Sequence, residues 1–309
     1  MVEFAHQPVL LNESLTALNI NADGIYIDAT FGRGGHSRAI LKQLSQQGRL
    51  FGFDQDLQAI AYGKQHFAGE PRLILEHGNF SQVNRVIDKY KLVGKINGVL
   101  MDLGVSSPQL DDASRGFSFA RSGPLDMRMD TSHGESAAQW LVHVEFNALR
   151  NVLKWYGEER FAKRIATAII AERDRRTIAT TDQLAAIISD AIPVKEKHKH
   201  PATRSFQAMR IFINQELKAL EEGLEAAVSV LATGGRLAVI SFHSLEDRRV
   251  KRFMRNHASR PPLPAGLPVM EADIEVPYRL IGKPVVAGTE ELQNNIRARS
   301  ARLRVLEKK

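Results

Sequence analysis

The chain has no cysteine. Disulfides, thiolate metal sites and a cysteine nucleophile are therefore excluded. It also has no apolar run near the roughly 18 residues that a membrane-spanning helix needs. The opening Met-Val-Glu-Phe-Ala-His-Gln lacks the basic start and apolar core of a secretory signal. Internal repeats and low-complexity segments are missing too. These absences predict a cytoplasmic protein with no membrane partner. What remains is ordinary: 43% apolar and 25% charged residues over a length of 309, enough for one large domain or two smaller ones.

Charge is unevenly placed. Between Asp247 and Lys309 fourteen Lys or Arg face seven Asp or Glu, an excess equal to the net +7 of the whole chain. The preceding residues therefore sum to about zero. A basic excess confined to one region suggests a polyanion-binding face, and a solvated basic tail is the plain alternative.

The stretch around which the chain is organised is Tyr26-Ile-Asp-Ala-Thr-Phe-Gly-Arg-Gly-Gly-His-Ser37. An apolar run ends in Asp28, then Gly32, Gly34 and Gly35 precede a helical pattern. This reads as strand, Gly-rich turn and helix, the first βα turn of a doubly wound α/β domain, where glycine lets the backbone approach a cofactor. A tight turn needing glycine only for positive φ is the simpler alternative. A second apolar run, Leu50-Phe51-Gly52-Phe53, ends in Asp54, placed to accept both hydroxyls of a ribose. The glycine pattern is G-x-G-G, short of the dinucleotide fingerprint G-x-G-x-x-G.

Strand and helix signals alternate onward. Strands are expected at 25–30, 50–54, 73–76 and 96–101, with helices at 37–47 (Ser37 as N-cap), 56–67 and 81–90. That rhythm implies a mostly parallel sheet with helices on both faces and ligands at the carboxyl ends of the strands, which carry Asp28, Asp54, Phe80 and Asp102. From 104 to 134 no period persists, yet Phe117, Phe119, Leu125, Met127 and Met129 give more apolar bulk than disorder carries, so an ordered active-site loop is expected. Residues 136–192 read as helices only. One long helix is expected over 206–231 with Gly234-Gly235 ending it. A strand at 236–242, a basic helix at 244–256, a Pro-rich loop at 261–268 and two last strands at 278–286 and 301–306 complete the chain, the final one antiparallel. The domains expected are 1–110 plus 205–309, discontinuous and cofactor-binding, and a helical insertion over 111–204 for substrate recognition.

Two enzyme classes share such a first half. A nicotinamide-dependent oxidoreductase needs the pyrophosphate-cradling third glycine; a methyltransferase using S-adenosylmethionine does not. Asp28 and Asp102, on adjacent strands in the usual order, suit a cationic ligand better than an anionic one. The motifs Asp28-Ala-Thr-Phe-Gly-Arg-Gly-Gly-His-Ser37, Asp102-Leu-Gly-Val-Ser-Ser-Pro-Gln-Leu-Asp111, Arg115-Gly-Phe-Ser118, Gly123-Pro-Leu-Asp-Met-Arg-Met-Asp130, Tyr156-Gly-Glu-Glu-Arg160, His200-Pro-Ala-Thr-Arg204 and Ser241-Phe-His-Ser-Leu-Glu-Asp247 resemble the signatures of the bacterial MraW/RsmH family across nearly the whole chain. One departure is Asn295-Ile-Arg297, where the family pattern has Asn-Pro-Arg.

The resemblance implies a Rossmann-like class I methyltransferase acting on the exocyclic N4 of a cytidine at the decoding site of small-subunit ribosomal RNA. Its cofactor would be S-adenosylmethionine and its partner the RNA or an assembling small subunit; a homodimer is compatible with this. The implied cofactor residues are Gly34, Gly35, His36, Asp54, Phe80, Asp102 and Gln109. Asp102 is the catalytic candidate. On the residues alone His36 could be structural and Phe80 core. Ser106 and Ser107 could orient a base or cap a turn, and His243 could contact substrate or cap the next helix. The tract His198-Lys-His200 reads as a solvated charge run. Because the cytosine amino group lies on the Watson–Crick edge, the target must be unpaired or flipped out. Phe117 and Phe119 are the favoured stacking residues, Trp140, Trp155 and Tyr156 being further candidates, with Trp140 and Trp155 read as core first. Arg248, Arg249, Lys251, Arg252 and Arg255 make the helix after the fifth strand a candidate for phosphate contacts. A non-catalytic RNA-binding module is the remaining alternative.

Overall fold

A computed structural model describes residues 8–194, 200–260 and 275–309; the Pro-rich stretch 261–268 and the residues His198-Lys199 lie outside the described residues. In chain order the elements are α1 (Leu11–Leu18), β1 (Ile25–Asp28), α2 (Gly35–Gln43), β2 (Arg49–Asp54), α3 (Leu57–His66), β3 (Leu73–His77), α4 (Val83–Lys89) and β4 (Ile96–Asp102). Six helices follow, α5 (Ser107–Asp111), α6 (Ala137–His143), α7 (Phe146–Tyr156), α8 (Ala162–Arg173), α9 (Thr181–Ala191) and α10 (Thr203–Ile213). The chain ends with α11 (Glu216–Val230), β5 (Leu231–Ser241), α12 (Ser244–His257), β6 (Tyr278–Leu280), α13 (Thr289–Asn294) and β7 (Arg302–Lys308). It divides into two compact units, Met1–Gly104 with Leu217–Lys309, and Val105–Glu216.

The first unit holds a seven-stranded sheet of order β3-β2-β1-β4-β5-β7-β6. The first five strands are parallel and β7 runs antiparallel between β5 and β6. Alternate side chains sort to opposite faces, as the pleat requires. Ile27, Phe51, Val99 and Val239 pack with α4, α11 and α12, while Tyr26, Leu50, Leu100 and Ala238 pack with α1 and α2. Each fully buried Leu, Ile or Phe contributes roughly 1.5–3 kcal/mol. The strand order reverses between β1 and β4, where Asp28 pairs in register with Leu100. That crevice is where an open α/β sheet binds ligands.

The second unit is built on helices around Leu125, Met127, Trp140, Leu149, Leu153, Ile165, Ile188 and Met209. Its long loop is ordered. The buried Arg115 donates from Nη2 to the carbonyls of Arg128 and Met129 (3.1 and 3.0 Å). The Asn214 side chain accepts from Met129 N–H and donates to Met127 O, both at 2.7 Å.

Several expectations are corrected. Residues 206–231 are two helices, because Asn214 turns to the loop and Gln215 takes φ 50°. Gly234 and Gly235 lie inside β5, where the pairing with β4 shifts register, rather than ending a helix. Gly34, at φ 69°, precedes the first turn of α2, so Ser37 is inside the helix and not its cap. The strand expected at 278–286 shrinks to β6 plus one bridge between Val285 and Leu303. Asn295 keeps its turn despite the departure at Ile296: its Oδ1 accepts from Arg297 N–H at 3.2 Å.

Candidate active site

The switch point gathers carboxylates. Asp28 is buried; its Oδ2 accepts from Ser37 Oγ at 2.6 Å and its Oδ1 from Thr30 N–H at 3.3 Å. Asp102 ends the neighbouring strand, its N–H donating to Thr30 Oγ1 at 2.7 Å. The Asp102 Oδ1 atom is buried and has no hydrogen-bond partner among the described residues. Burial, then the charges of Asp28 and Glu246, hold the Asp102 carboxyl well above the usual carboxylate range. Burial likewise raises Asp28. No Lys or Arg side chain pairs with Asp28, Asp54 or Asp102 among the described residues.

His36 sits between these acids without neutralising them. Its ring Nε2 faces Val9 O at 3.1 Å, and a carbonyl only accepts, so the proton is on Nε2. The Nδ1 lone pair then faces Asp102 Oδ2 at 3.8 Å, too far for a hydrogen bond. Burial lowers the ring's affinity for a second proton. His36 is thus anchored as a neutral wall of the site.

The glycines serve different ends. Gly32, at φ 56°, would bring a Cβ no closer than 3.9 Å, to Thr30 O, and its N–H donates to Asp54 Oδ2 at 2.7 Å. A Cβ at Gly34 would come within 2.6 Å of the Phe67 ring, and one at Gly35 within 2.4 Å of Pro8. Those two are required by packing within the protein. Asp54 accepts also from Asp56 N–H at 2.8 Å, and burial pushes its carboxyl up to about 6. Phe80, in a short 3₁₀ turn after β3, is half-buried and lies against α11 at Gly223, where a Cβ would approach its ring to 2.4 Å.

At the end of β5, Glu246 is 3% exposed. Its Oε2 accepts from the N–H groups of Phe242 (2.8 Å) and His243 (3.3 Å). His243 Nδ1 accepts from Glu246 N–H at 3.4 Å, the reciprocal capping box that opens α12. His243 therefore caps the helix, one of the two roles expected for it. Ser106 caps α5 in the same way, with Gln109 Oε1 accepting from Ser106 N–H at 2.9 Å.

Across the whole length, residues 3–309, the sequence matches the model of the MraW methylase family. The chain belongs to that family. It is a family of S-adenosylmethionine-dependent methyltransferases. Two curated relatives, both named ribosomal RNA small subunit methyltransferase H, come from Shewanella baltica strains OS155 and OS185. Each is 54% identical over 99% of this chain and 98% of its own length. Among solved structures, an rRNA methylase from Streptococcus thermophilus aligns at 14% identity and a TM-score of 0.39, over 99% of this chain and 98% of that one.

An MraW methylase needs a place for a cationic amino-acid end, and the residues present fit one. A buried carboxylate oxygen without a protein donor, flanked by two further acids, is incomplete until a cation arrives. Glu246 escaped the sequence reading, although His243-x-x-Glu246 carries the spacing of a capping box. Other expected residues stand elsewhere. Phe117 is buried in the helical unit, and the Phe119 ring packs on Phe206 (4.8 Å) and His200 (4.4 Å), so neither is a free stacking platform. Trp140 is core as read, but Trp155 is 61% exposed. The basic helix α12 is partly neutralised: Arg249 and Arg252 reach Glu221 at 3.0 and 3.8 Å, and His257 reaches Glu225 at 3.6 Å. No helix among the described residues is long and apolar enough to cross a membrane.

Proposed function

We propose that the protein transfers a methyl group from S-adenosylmethionine to the exocyclic N4 of a cytidine in the decoding region of small-subunit ribosomal RNA. The observation that carries the cofactor half is the buried, partnerless Asp102 Oδ1 beside Asp28 and Glu246. An ammonium about 4 Å from one such carboxylate gains about 4 kcal/mol at an effective dielectric constant of 20. A dinucleotide would instead bring a pyrophosphate to the same acids, which opposes the oxidoreductase reading. The RNA half is supported by the name of the relatives at 54% identity, and the N4 position by the motif resemblance.

In this reading Asp28 and Asp102 take the ammonium end, Asp54 accepts from the ribose hydroxyls, Gly32 presents backbone to the ligand, and the Phe80 ring flanks the adenine. Gly34, Gly35 and His36 shape the turn from behind, and Gln109 serves by fixing the start of α5. When bound, S-adenosylmethionine supplies a sulfonium methyl group open to in-line displacement. The protein's part is positioning, the largest share of such a barrier. The cytosine amino nitrogen is a weak nucleophile because its lone pair is delocalised into the ring. An acceptor at its N–H localises that pair, and Asp102 is the candidate for that acceptor on the side of its carboxyl that the ammonium leaves unused. The substrate is the RNA or an assembling subunit in the cytoplasm, and the unit Val105–Glu216 is its recognition domain.

The test uses small subunits lacking the modification and radiolabelled S-adenosylmethionine. Label on a cytidine N4 is expected. Label on another atom, or none, refutes the reading, and a pocket that binds cofactor with no transfer would favour the non-catalytic RNA-binding module.

A further inference from the structure

The helical unit carries one aromatic side chain that its own core does not use. α7 buries Leu149, Val152 and Leu153, which leaves Trp155 at 61% exposure, while the other tryptophan, Trp140, is 4% exposed. An indole left in water forfeits much of its burial free energy, so its exposure has to be explained by something other than folding. Four cations lie near it along the chain. Lys154, Arg160, Lys163 and Arg164 are all exposed and lie on the last turn of α7, the link after it and the first turn of α8. The two helices pack together as a hairpin, so these positions share one end of it.

None of these four cations is in an ion pair among the described residues, in contrast to Arg249 and Arg252 of α12. A fifth, Arg204, bonds the link itself, its Nη1 donating to Glu158 O at 3.1 Å. Glu158 takes φ 49°, a left-handed conformation that holds the link in a fixed shape. Of the two acids of the link, Glu159 is buried and turned inward, accepting from Phe161 N–H at 3.0 Å, while Glu158 is exposed. The end of the hairpin thus carries an exposed indole and four exposed cations against one exposed acid, Glu158, on a set backbone.

We infer that the α7–α8 hairpin end is a contact surface for single-stranded RNA, with Trp155 stacking on an unpaired base and Lys154, Arg160, Lys163 and Arg164 holding the adjoining phosphates. An aromatic face among cations is the recognition chemistry of single strands, since every base has a π-face and every linkage a charge. A duplex offers the phosphates but no free base, so the surface selects unpaired RNA. This deepens the proposed activity and rests on it for the identity of the RNA.

The test is fluorescence anisotropy with a labelled single-stranded oligoribonucleotide and with a blunt duplex of equal length, on the full chain and three variants. Trp155→Ala is expected to weaken single-strand binding about 5- to 100-fold. Trp155→Phe should stay within about threefold of the parent, and neither should change duplex binding. Unchanged single-strand affinity in Trp155→Ala overturns the inference. The combined Lys154→Ala, Arg160→Ala, Lys163→Ala, Arg164→Ala variant should flatten the salt slope by about 0.7 for each phosphate it no longer neutralises; an unchanged slope overturns it as well. S-adenosylmethionine affinity, measured alongside, should be equal in all forms and reports correct folding. If the parent methylates small subunits and Trp155→Ala does so with the same KM for RNA, the surface assignment fails while the activity stands. If the parent neither binds nor methylates RNA, the activity itself fails. If Trp155→Ala binds free RNA normally but not intact subunits, the partner is a protein, and the RNA assignment is wrong.

Discussion

Phe80 occupies the space that a side chain at Gly223 would fill, with only 2.4 Å between the ring and where that Cβ would stand. The position of a residue at the end of β3 is thereby set by the absence of a side chain in the middle of α11. Glycine there costs the helix roughly 1 kcal/mol against alanine, so the ring's placement outweighs helix propensity. Gly223→Ala is expected to displace Phe80, lower the melting temperature by several degrees and weaken S-adenosylmethionine binding about tenfold by calorimetry. A more stable protein with unchanged affinity would show that the ring has no part in the site.

Asp102 costs the folded state stability at high pH. Its carboxyl is raised by burial and by neighbouring acids, so the folded state holds the proton more tightly than the unfolded chain. Stability therefore falls as pH rises above the unfolded value of about 4. Asp102→Asn removes that loss. The variant should melt higher than the parent at pH 8, match it below about pH 4, and lose cofactor affinity by tenfold or more. Equal melting curves at pH 8 would contradict the assigned environment.

Binding of the cationic cofactor should release protons. Asp54 is raised to about 6, and Asp102 is held well above the usual carboxylate range by burial and like charge. An incoming ammonium favours the ionised forms, so the dissociation constant tightens as pH rises through 6. Calorimetry in buffers of different ionisation enthalpy measures the proton count directly. Proton uptake, or an affinity flat from pH 5 to 8, would be incompatible with the acidic pocket.

Glu246 fixes the β5–α12 turn through two backbone donors. Glu246→Ala leaves the Phe242 and His243 N–H groups without that acceptor, at about 1–3 kcal/mol. Glu246→Gln can replace one of the bonds and removes a charge that raises Asp102. The expected order of melting temperature is parent, Gln, Ala, with cofactor affinity less pH-dependent in the Gln variant. An Ala variant as stable as the parent would show the capping box to be idle.

Legibility followed the reach of the forces. Asp28, Asp54 and Asp102 were readable because each ends an apolar run, and strand ends of a parallel sheet face one crevice. The methyl donor's sign followed from those charges. The helix break at Asn214 was not readable, because the side chain is recruited by Met127 and Met129, far away in sequence. The reasons for Gly34 and Gly35 were hidden too, since Phe67 and Pro8 set them from other segments. The exposure of Trp155 was equally out of reach, because helical spacing reports a periodic face and not which turn of it a neighbour covers.

β4 finds its second partner, β5, only after the whole helical unit has been made, since Asp102 pairs in register with Ile240. During synthesis at about 5–20 residues per second, the interval between the two strands is on the order of ten seconds. Through that time β4 is an open edge with its hydrogen-bonding groups unspent, the feature that drives strand-to-strand aggregation. The acids of the candidate site sit at the end of that edge. Until β5 is made, a nascent chain therefore keeps its exposed strand edge beside the acids of the candidate site.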